Sequence, residues 1–349
     1  MMLNVPLLTQ RGLRLFTGRK TFKELCDRQW TVHPNEKAVA PPAIYLDGAL
    51  ERVTGAQPES TLAYEIQQVF GGPKEHIATT AYLLRDVHLV NGYLYKASMK
   101  LPLTIAKESL FQSAKPERVS QAALACTLTS NRYFGHWITD GLTMNLAAAQ
   151  LAPAVTTAHS ETAHQIDYRR LFNVHATMMT TAYFNQLIIL EDFGQNAYKR
   201  DRYNRMRSHL RQAFPTATKP GVMLLRGTSG VQRVLLNELD VANFLHKQGF
   251  TILDPQALSV SEIVQQTLGA KVVVGVEGSQ LIHGLFTLVD RGTILTLQPP
   301  YRFNSVFKDY TDCLELNYAF VVGREVEGGF EIDLNDLEKT LDKLSLTLA

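Results

Sequence analysis

Several things are scarce in this sequence, and each scarcity removes a class of protein. There are three cysteines, Cys26, Cys126 and Cys313, odd in number and far apart, with no CxxC pair and no Cys/His cluster. Neither a disulfide framework nor a zinc site is supported, and a reducing compartment, the cytoplasm, fits best. No apolar run approaches the roughly 18–20 residues that cross a bilayer. The start holds Arg11, Arg14, Arg19 and Lys20 and lacks a continuous apolar stretch, so it does not read as a signal peptide. It reads as a first strand. The alternative is a peripheral membrane-surface contact, since Leu13, Leu15 and Phe16 lie among the arginines. Excess charge is missing too. A formal balance of +2 gives no support to a nucleic-acid partner.

What is present is the composition of a folded α/β protein. Hydrophobic residues make up 45% and charged residues 19% of 349, which suits two domains better than one core. Residues 38–60 read as loops around one short strand at 43–46. From 78 to 102 the pattern is a β-ribbon that turns at Asn91-Gly92. A helical pattern follows over 133–151, and Ile188, Ile189 and Leu190 read as a buried strand. The Arg/Lys-rich segment 198–214 reads as a helix with a solvated face. Residues 216–221, flanked by Pro215 and Pro220, are the best linker.

Beyond the linker the pattern becomes regular. Strands at 222–225, 250–253, 271–274 and 293–297 alternate with helical spacing at 235–245, 259 onward and 279–288. Ser259 and Glu262 form an S-x-x-E capping box. That alternation predicts a parallel sheet with helices on its faces, a Rossmann-like lobe. The division expected is 1–205 for a first α/β lobe on the acceptor side, 206–325 for a second on the donor side, and a C-terminal helix within 326–349. Leu334, Leu337, Leu341 and Leu344 give that last helix its apolar spacing.

Ligands of such a lobe bind beyond the carboxyl ends of its strands. Two strand ends carry unusual residues there. One is Leu225-Arg226-Gly227-Thr228-Ser229, where Arg226 could donate to a phosphate in bidentate fashion. The other is Glu277-Gly278-Ser279-Gln280, where small residues open the backbone at a helix start whose N–H groups favour an anionic oxygen. Glu277 would repel a phosphate and suits ribose hydroxyls better. The plain alternative is that these glycines serve the turns alone. In the first half, Asn131-Arg132-Tyr133-Phe134-Gly135-His136-Trp137-Ile138-Thr139-Asp140 stands out. On a helix His136 and Asp140 share a face, and an imidazole oriented by a carboxylate is a general base suited to neutral pH. A surface hydrogen-bonded pair beside a buried tryptophan explains the same spacing. Which of the two residues would be the base stays open.

Taken in order, these pieces resemble glycosyltransferase family 61, known from bacterial capsular and exopolysaccharide proteins, plant xylan transferases and animal glycan transferases. The family shows N-Y-x-H-W-x-x-D/E in its first half. Asn131, Tyr133, His136, Trp137 and Asp140 are similar, with one residue inserted before the histidine. Its second half runs through a strand ending in Ser-Arg, then R-x-x-x-N-E, G-F-x-x-x-D-P and V-G-x-x-G-x-x-L-x-x-L-x-F. Here stand Leu225-Arg226, Arg233, Asn237-Glu238, Gly249-Phe250, Asp254-Pro255, Gly275, Gly278, Leu281, Leu285 and Phe286. Two departures touch the donor's identity: Leu225 replaces the serine, and Glu277-Gly278-Ser279-Gln280 replaces H-G-A-G.

The resemblance implies a GT-B-like fold, with two Rossmann-like lobes facing a central cleft, and an inverting transfer from a nucleotide-sugar donor to a glycan hydroxyl in polysaccharide biosynthesis. His136 with Asp140 would then supply the base. Arg226, Gly227, Glu277, Gly278, Ser279 and Gln280 would form the donor site. No cofactor or metal is expected, and no D-x-D chelating motif occurs. The rival readings are a pyruvyl transferase using phosphoenolpyruvate and a non-catalytic sugar- or nucleotide-binding assembly protein.

Overall fold

The computed structural model describes residues 2–112, 114–227 and 233–348. It divides into two compact units, Met1–Glu36 with His76–Arg202, and Lys37–Glu75 with Tyr203–Ala349.

The first unit is built on a mixed sheet. Thr177–Met179, Ala154–Thr157, Glu117–Leu124 and Thr181–Glu191 run parallel, and Thr181–Glu191 then pairs antiparallel with Thr79–Val90. From there the sheet is antiparallel through Tyr93–Lys96 and Met99–Pro102, and Arg28–His33 also lies along Thr79–Val90. The ribbon turn has φ of 49° at Asn91 and 82° at Gly92, the paired positive values that a two-residue hairpin of this twist demands. This unit is therefore half parallel sheet and half ribbon, where a fully Rossmann-like lobe is what the resemblance implies.

Its N-terminus differs from the strand expected. Only Met2–Leu3 is extended, and Val5–Thr17 is a helix. Asn4 accepts from the Leu7 N–H at 3.1 Å and Pro6 sits in the first turn, a start signal that outweighs the β-favouring residues nearby.

The second unit carries a five-stranded sheet, parallel throughout, in the order Thr251–Leu253, Lys219–Leu224, Ala270–Val276, Thr293–Gln298, Asn317–Val322. In chain order that is 2-1-3-4-5, the order of a doubly wound sheet, and it reverses between Lys219–Leu224 and Ala270–Val276. Val222–Leu224, Val272–Val276 and every residue of Thr293–Gln298 are buried, as suits a sheet covered on both faces. The Ser259 capping box forms as read, with Glu262 N–H on Ser259 Oγ and Ser259 N–H on the Glu262 carboxylate.

Residues 37–75 were read with the first lobe, yet they group with the second unit. Long-range polar contacts explain this: the Glu65 carboxylate accepts from Ser305 N–H at 2.6 Å, Arg52 pairs with Asp336 at 2.6 Å, and Ile44 N–H donates to Tyr318 O at 2.9 Å. Ile44 makes only an isolated bridge to Ala319, so the strand read at 43–46 does not form. The linker read at 216–221 is partly strand, which begins at Lys219. At the far end a hairpin, Arg324–Val326 with Gly329–Glu331, precedes the helix Leu334–Leu348.

Candidate functional site

In the first unit the chain from Phe134 to Ala148 is a helix interrupted by a π-turn over Trp137–Leu142. Such insertions recur at functional sites because they displace side chains from the regular helical rows. Trp137, Ile138 and Leu142 face the core, while His136 and Asp140 remain partly open. His136 Nδ1 lies 2.7 Å from Asp140 Oδ2, so the i, i+4 pair expected from the sequence forms.

A third member was missed. Lys199, fully buried, donates from Nζ to Asp140 Oδ1 at 3.2 Å. It belongs to the helix Ala197–Ala213, whose charged residues were read as a solvated face. Lys199, Arg202 and Arg207 are instead buried. Each is compensated: Arg202 donates two hydrogen bonds to the Asp192 carboxylate at 2.7 and 2.8 Å and one to Thr143 O at 2.9 Å, and Arg207 reaches Asp290 at 3.0 Å. Buried ionised groups persist only when paired in this way. The signal that could have found them is the spacing of 199, 202, 203, 206, 207 and 210, one helical stripe mixing apolar and basic residues.

Burial works against ionisation of Asp140, but Lys199 and His136 outweigh it and hold its carboxyl below the usual aspartate range. An ionised carboxylate only accepts hydrogen bonds. The proton shared at 2.7 Å therefore sits on His136 Nδ1, and in the neutral ring the lone pair is on Nε2.

In the second unit, Arg226 follows the end of strand Lys219–Leu224, and Glu277–Gln280 follows the end of Ala270–Val276. These are the two strands where the order reverses, the place at which doubly wound sheets hold their ligands. The two segments touch. Arg226 Nη1 donates to Gln280 Oε1 at 2.9 Å, and Gln280 Nε2 donates in turn to Val276 O. A Cβ on Gly278 would overlap the Arg226 guanidinium, so glycine is needed there for close approach.

Gly227 takes φ of 55°, and the Glu238 carboxylate accepts from the N–H groups of both Arg226 and Gly227 at 2.8 and 3.0 Å. Those two donors are thus already used, and Gly227 shapes the loop. Thr228 and Ser229 lie outside the described residues.

Two readings of this segment need correcting. The helix expected over 279–288 is a 3-10 turn, Ser279–Leu281, followed by one α-turn, Ile282–Leu285. Gly284 presses against Val273, and Arg207 takes the carbonyls of Leu285 and Leu288, which would have continued the helix. So short a run offers little dipole to an anion, although Ser279 itself is exposed.

Glu277 is the second correction. It is buried rather than open to ribose hydroxyls, with Arg233 at 2.6 Å, Arg302 at 3.3 Å and Asn304 Nδ2 at 3.0 Å. Burial pushes its carboxyl up, against the three nearby arginines. The same burial pulls Arg233 down to about 10, which leaves it charged at neutral pH, and lowers Arg226. The result is three guanidinium groups, Arg226, Arg233 and Arg302, gathered around one buried carboxylate. The Nε atoms of Arg233 and Arg302 are buried without a partner among the described residues. Among those residues, no group of three or more His, Cys, Asp or Glu is placed to hold a metal ion, and no helix is long and apolar enough to cross a membrane.

No curated protein matches the chain. Among solved structures, similarity is weak. The D-arabinose dehydrogenase from Sulfolobus solfataricus is 12% identical, with 49% of this chain and 59% of that one covered and a TM-score of 0.20. The flavodiiron core of Flv1 from Synechocystis sp. PCC6803 is 9% identical, with 76% and 64% covered and a TM-score of 0.24. The chain thus spans less than two thirds of either, and TM-scores this low define neither its fold nor its chemistry. A family model does match. The stretch that contains His136, Asp140, Lys199, Arg226 and Glu277–Gln280, residues 134–296, matches the model of the glycosyltransferase 61 family.

Proposed function

We propose that this glycosyltransferase is an inverting, metal-independent enzyme of the GT-B kind. It moves a sugar from a nucleotide-sugar donor to a hydroxyl of a glycan acceptor in polysaccharide biosynthesis. The observation that carries the reading is the arginine cluster where the parallel sheet reverses its order. A nucleoside diphosphate leaves with growing negative charge, and fixed guanidinium groups stabilise that charge more in the transition state than in the bound donor. Arg226 is the group assigned to the diphosphate. Gln280 and Gly278 hold Arg226 in position, and Glu277 fixes Arg233 and Arg302.

On the acceptor side His136 takes the proton from the attacking hydroxyl at Nε2. Asp140 keeps the other ring nitrogen protonated and stabilises the imidazolium that forms. Lys199 holds Asp140 in place.

A thermal-shift screen of nucleotides, nucleotide sugars and phosphoenolpyruvate, each with and without a chelator, tests the proposal. A ligand at 100 times its dissociation constant adds about 2.7 kcal/mol of stability. A nucleotide sugar should shift the transition in the wild type and fail to do so in Arg226→Ala, and chelation should change nothing. A response to phosphoenolpyruvate alone, or one that needs magnesium or manganese, refutes it.

A further inference from the structure

The helix Val5–Thr17 has its apolar stripe on the wrong side for a folded core. Leu7 and Gln10 point inward, Leu7 onto Val90, Tyr93 and Tyr95, and Gln10 through a bond to Ser98 O at 3.0 Å. At 100° per residue, Val5, Leu8, Gly12, Leu15 and Phe16 fall within about 100° of one another on the opposite face. Their exposure confirms this. Leu15 is 84% and Phe16 88% exposed, with Val5 and Leu8 also open. The patch continues beyond the helix: Met2 and Leu3 are exposed and pair with Phe111–Gln112, and Leu110, whose carbonyl holds Asn4 N–H, is exposed with Phe111. Scattered apolar residues on a surface need no explanation, but a contiguous stripe opposite a helix's buried face does.

Charge indicates what covers it. The sequence has no acidic residue before Glu24, whereas Arg11, Arg14, Arg19, Lys20 and Lys23 precede it. Arg11, Arg14, Arg19 and Lys20 are all exposed; a long contact of 3.5 Å ties Arg11 to Glu108, and Arg19 Nη2 donates to Lys100 O at 3.3 Å. A second copy of the chain fits poorly, because a symmetric contact sets the same basic segment against itself. A helix with an exposed apolar stripe, and with basic residues on its other faces and just past its end, lies flat in a bilayer interface, apolar face among the acyl chains and cations at anionic headgroups. We infer that Met2–Lys20 is a docking surface for an anionic membrane, which it enters through Leu15 and Phe16.

Sedimentation with phosphatidylcholine vesicles containing phosphatidylglycerol, compared with phosphatidylcholine alone, tests the inference. The full chain should bind the anionic vesicles, more weakly as salt rises. Arg14→Gln with Lys20→Gln should weaken binding about 30-fold. Leu15→Ser with Phe16→Ser should weaken it at least about tenfold while leaving the unfolding temperature unchanged, since neither side chain packs on the protein. Equal binding to neutral vesicles, or none to either, overturns the inference. So does a concentration-dependent dimer that the Leu15/Phe16 variant abolishes, which would give the stripe to a protein contact. If that variant unfolds, the charge variant decides by itself.

Discussion

Asp140→Asn is the sharpest perturbation of the proposed base, because the structure fixes which way the new amide must face. The carboxylate now accepts from His136 Nδ1 at 2.7 Å and from Lys199 Nζ at 3.2 Å. Asparagine has one acceptor and one donor end. Lys199 is a buried ammonium that only donates, so it claims the oxygen. The –NH₂ end is then turned toward His136, whose Nδ1 must become the acceptor, which moves the ring proton to Nε2. A hydrogen bond to a charged group is worth about 1.5–3 kcal/mol, so the base-competent tautomer falls by about 10- to 150-fold. Loss of the charge that supports the imidazolium adds to this. The total should approach the 10²–10⁴-fold of a general base, similar to His136→Ala. From spacing alone the asparagine variant is the milder change. Lys199 removes that expectation.

The double variant Asp140→Asn with Lys199→Met separates this account from ordinary disruption. Methionine cannot donate, so the amide is free to turn its oxygen back to His136 and restore the Nδ1–H tautomer. Activity should recover part of the way despite the second mutation. Nitrogen-15 NMR of the imidazole reads the tautomer directly and needs no donor sugar: Nδ1–H in the wild type, Nε2–H in Asp140→Asn, Nδ1–H again in the double variant. Should the ring of Asp140→Asn keep its Nδ1 proton, or the double variant be no more active than the single one, the relay as drawn is wrong.

Gly278→Ala places a methyl group against the Arg226 guanidinium. It should cost about 1–3 kcal/mol by overpacking and abolish the donor-dependent thermal shift, as Arg226→Ala does. Asp192→Ala strips both bonds from buried Arg202 and should destabilise the protein by about 3–5 kcal/mol in urea unfolding, far more than an average surface change. For pH, Asp140 has a folded pKa below its unfolded value, since Lys199 and His136 outweigh its burial. Its contribution is therefore complete above the unfolded value of about 3.9 and is lost as pH falls through the lower folded one. Unfolding free energies of wild type and Asp140→Asn should differ while Asp140 is ionised and converge in acid.

Four of the five strands of the parallel sheet were readable, because each is a short apolar run closed by a turn or a cap; Asn317–Val322 was not. Val272–Val274 and Ser259 with Glu262 give period and punctuation together. The mixed sheet was readable at the turn Asn91-Gly92 and at the apolar run of Ile188, Ile189 and Leu190, and little beyond them. The placement of 37–75 was not readable, since it rests on Glu65 meeting Ser305, a contact 240 residues apart that no local pattern encodes.

The same division runs through the candidate site. His136 and Asp140 were visible as an i, i+4 pair, and Arg226 and Gly278 as odd residues at strand ends. What spacing could not give is the state of each group, because state depends on partners from elsewhere in the chain. Glu277 looked like a free acceptor until Arg233 and Arg302 were found on it. Lys199 looked like solvent-facing charge, yet it holds Asp140 through Oδ1 while Oδ2 accepts from His136. A base is defined by its tautomer as much as by its residue type. Asp140 sets that tautomer here, and the residue that holds Asp140 lies 59 positions from it, on a helix whose composition resembles any charged surface.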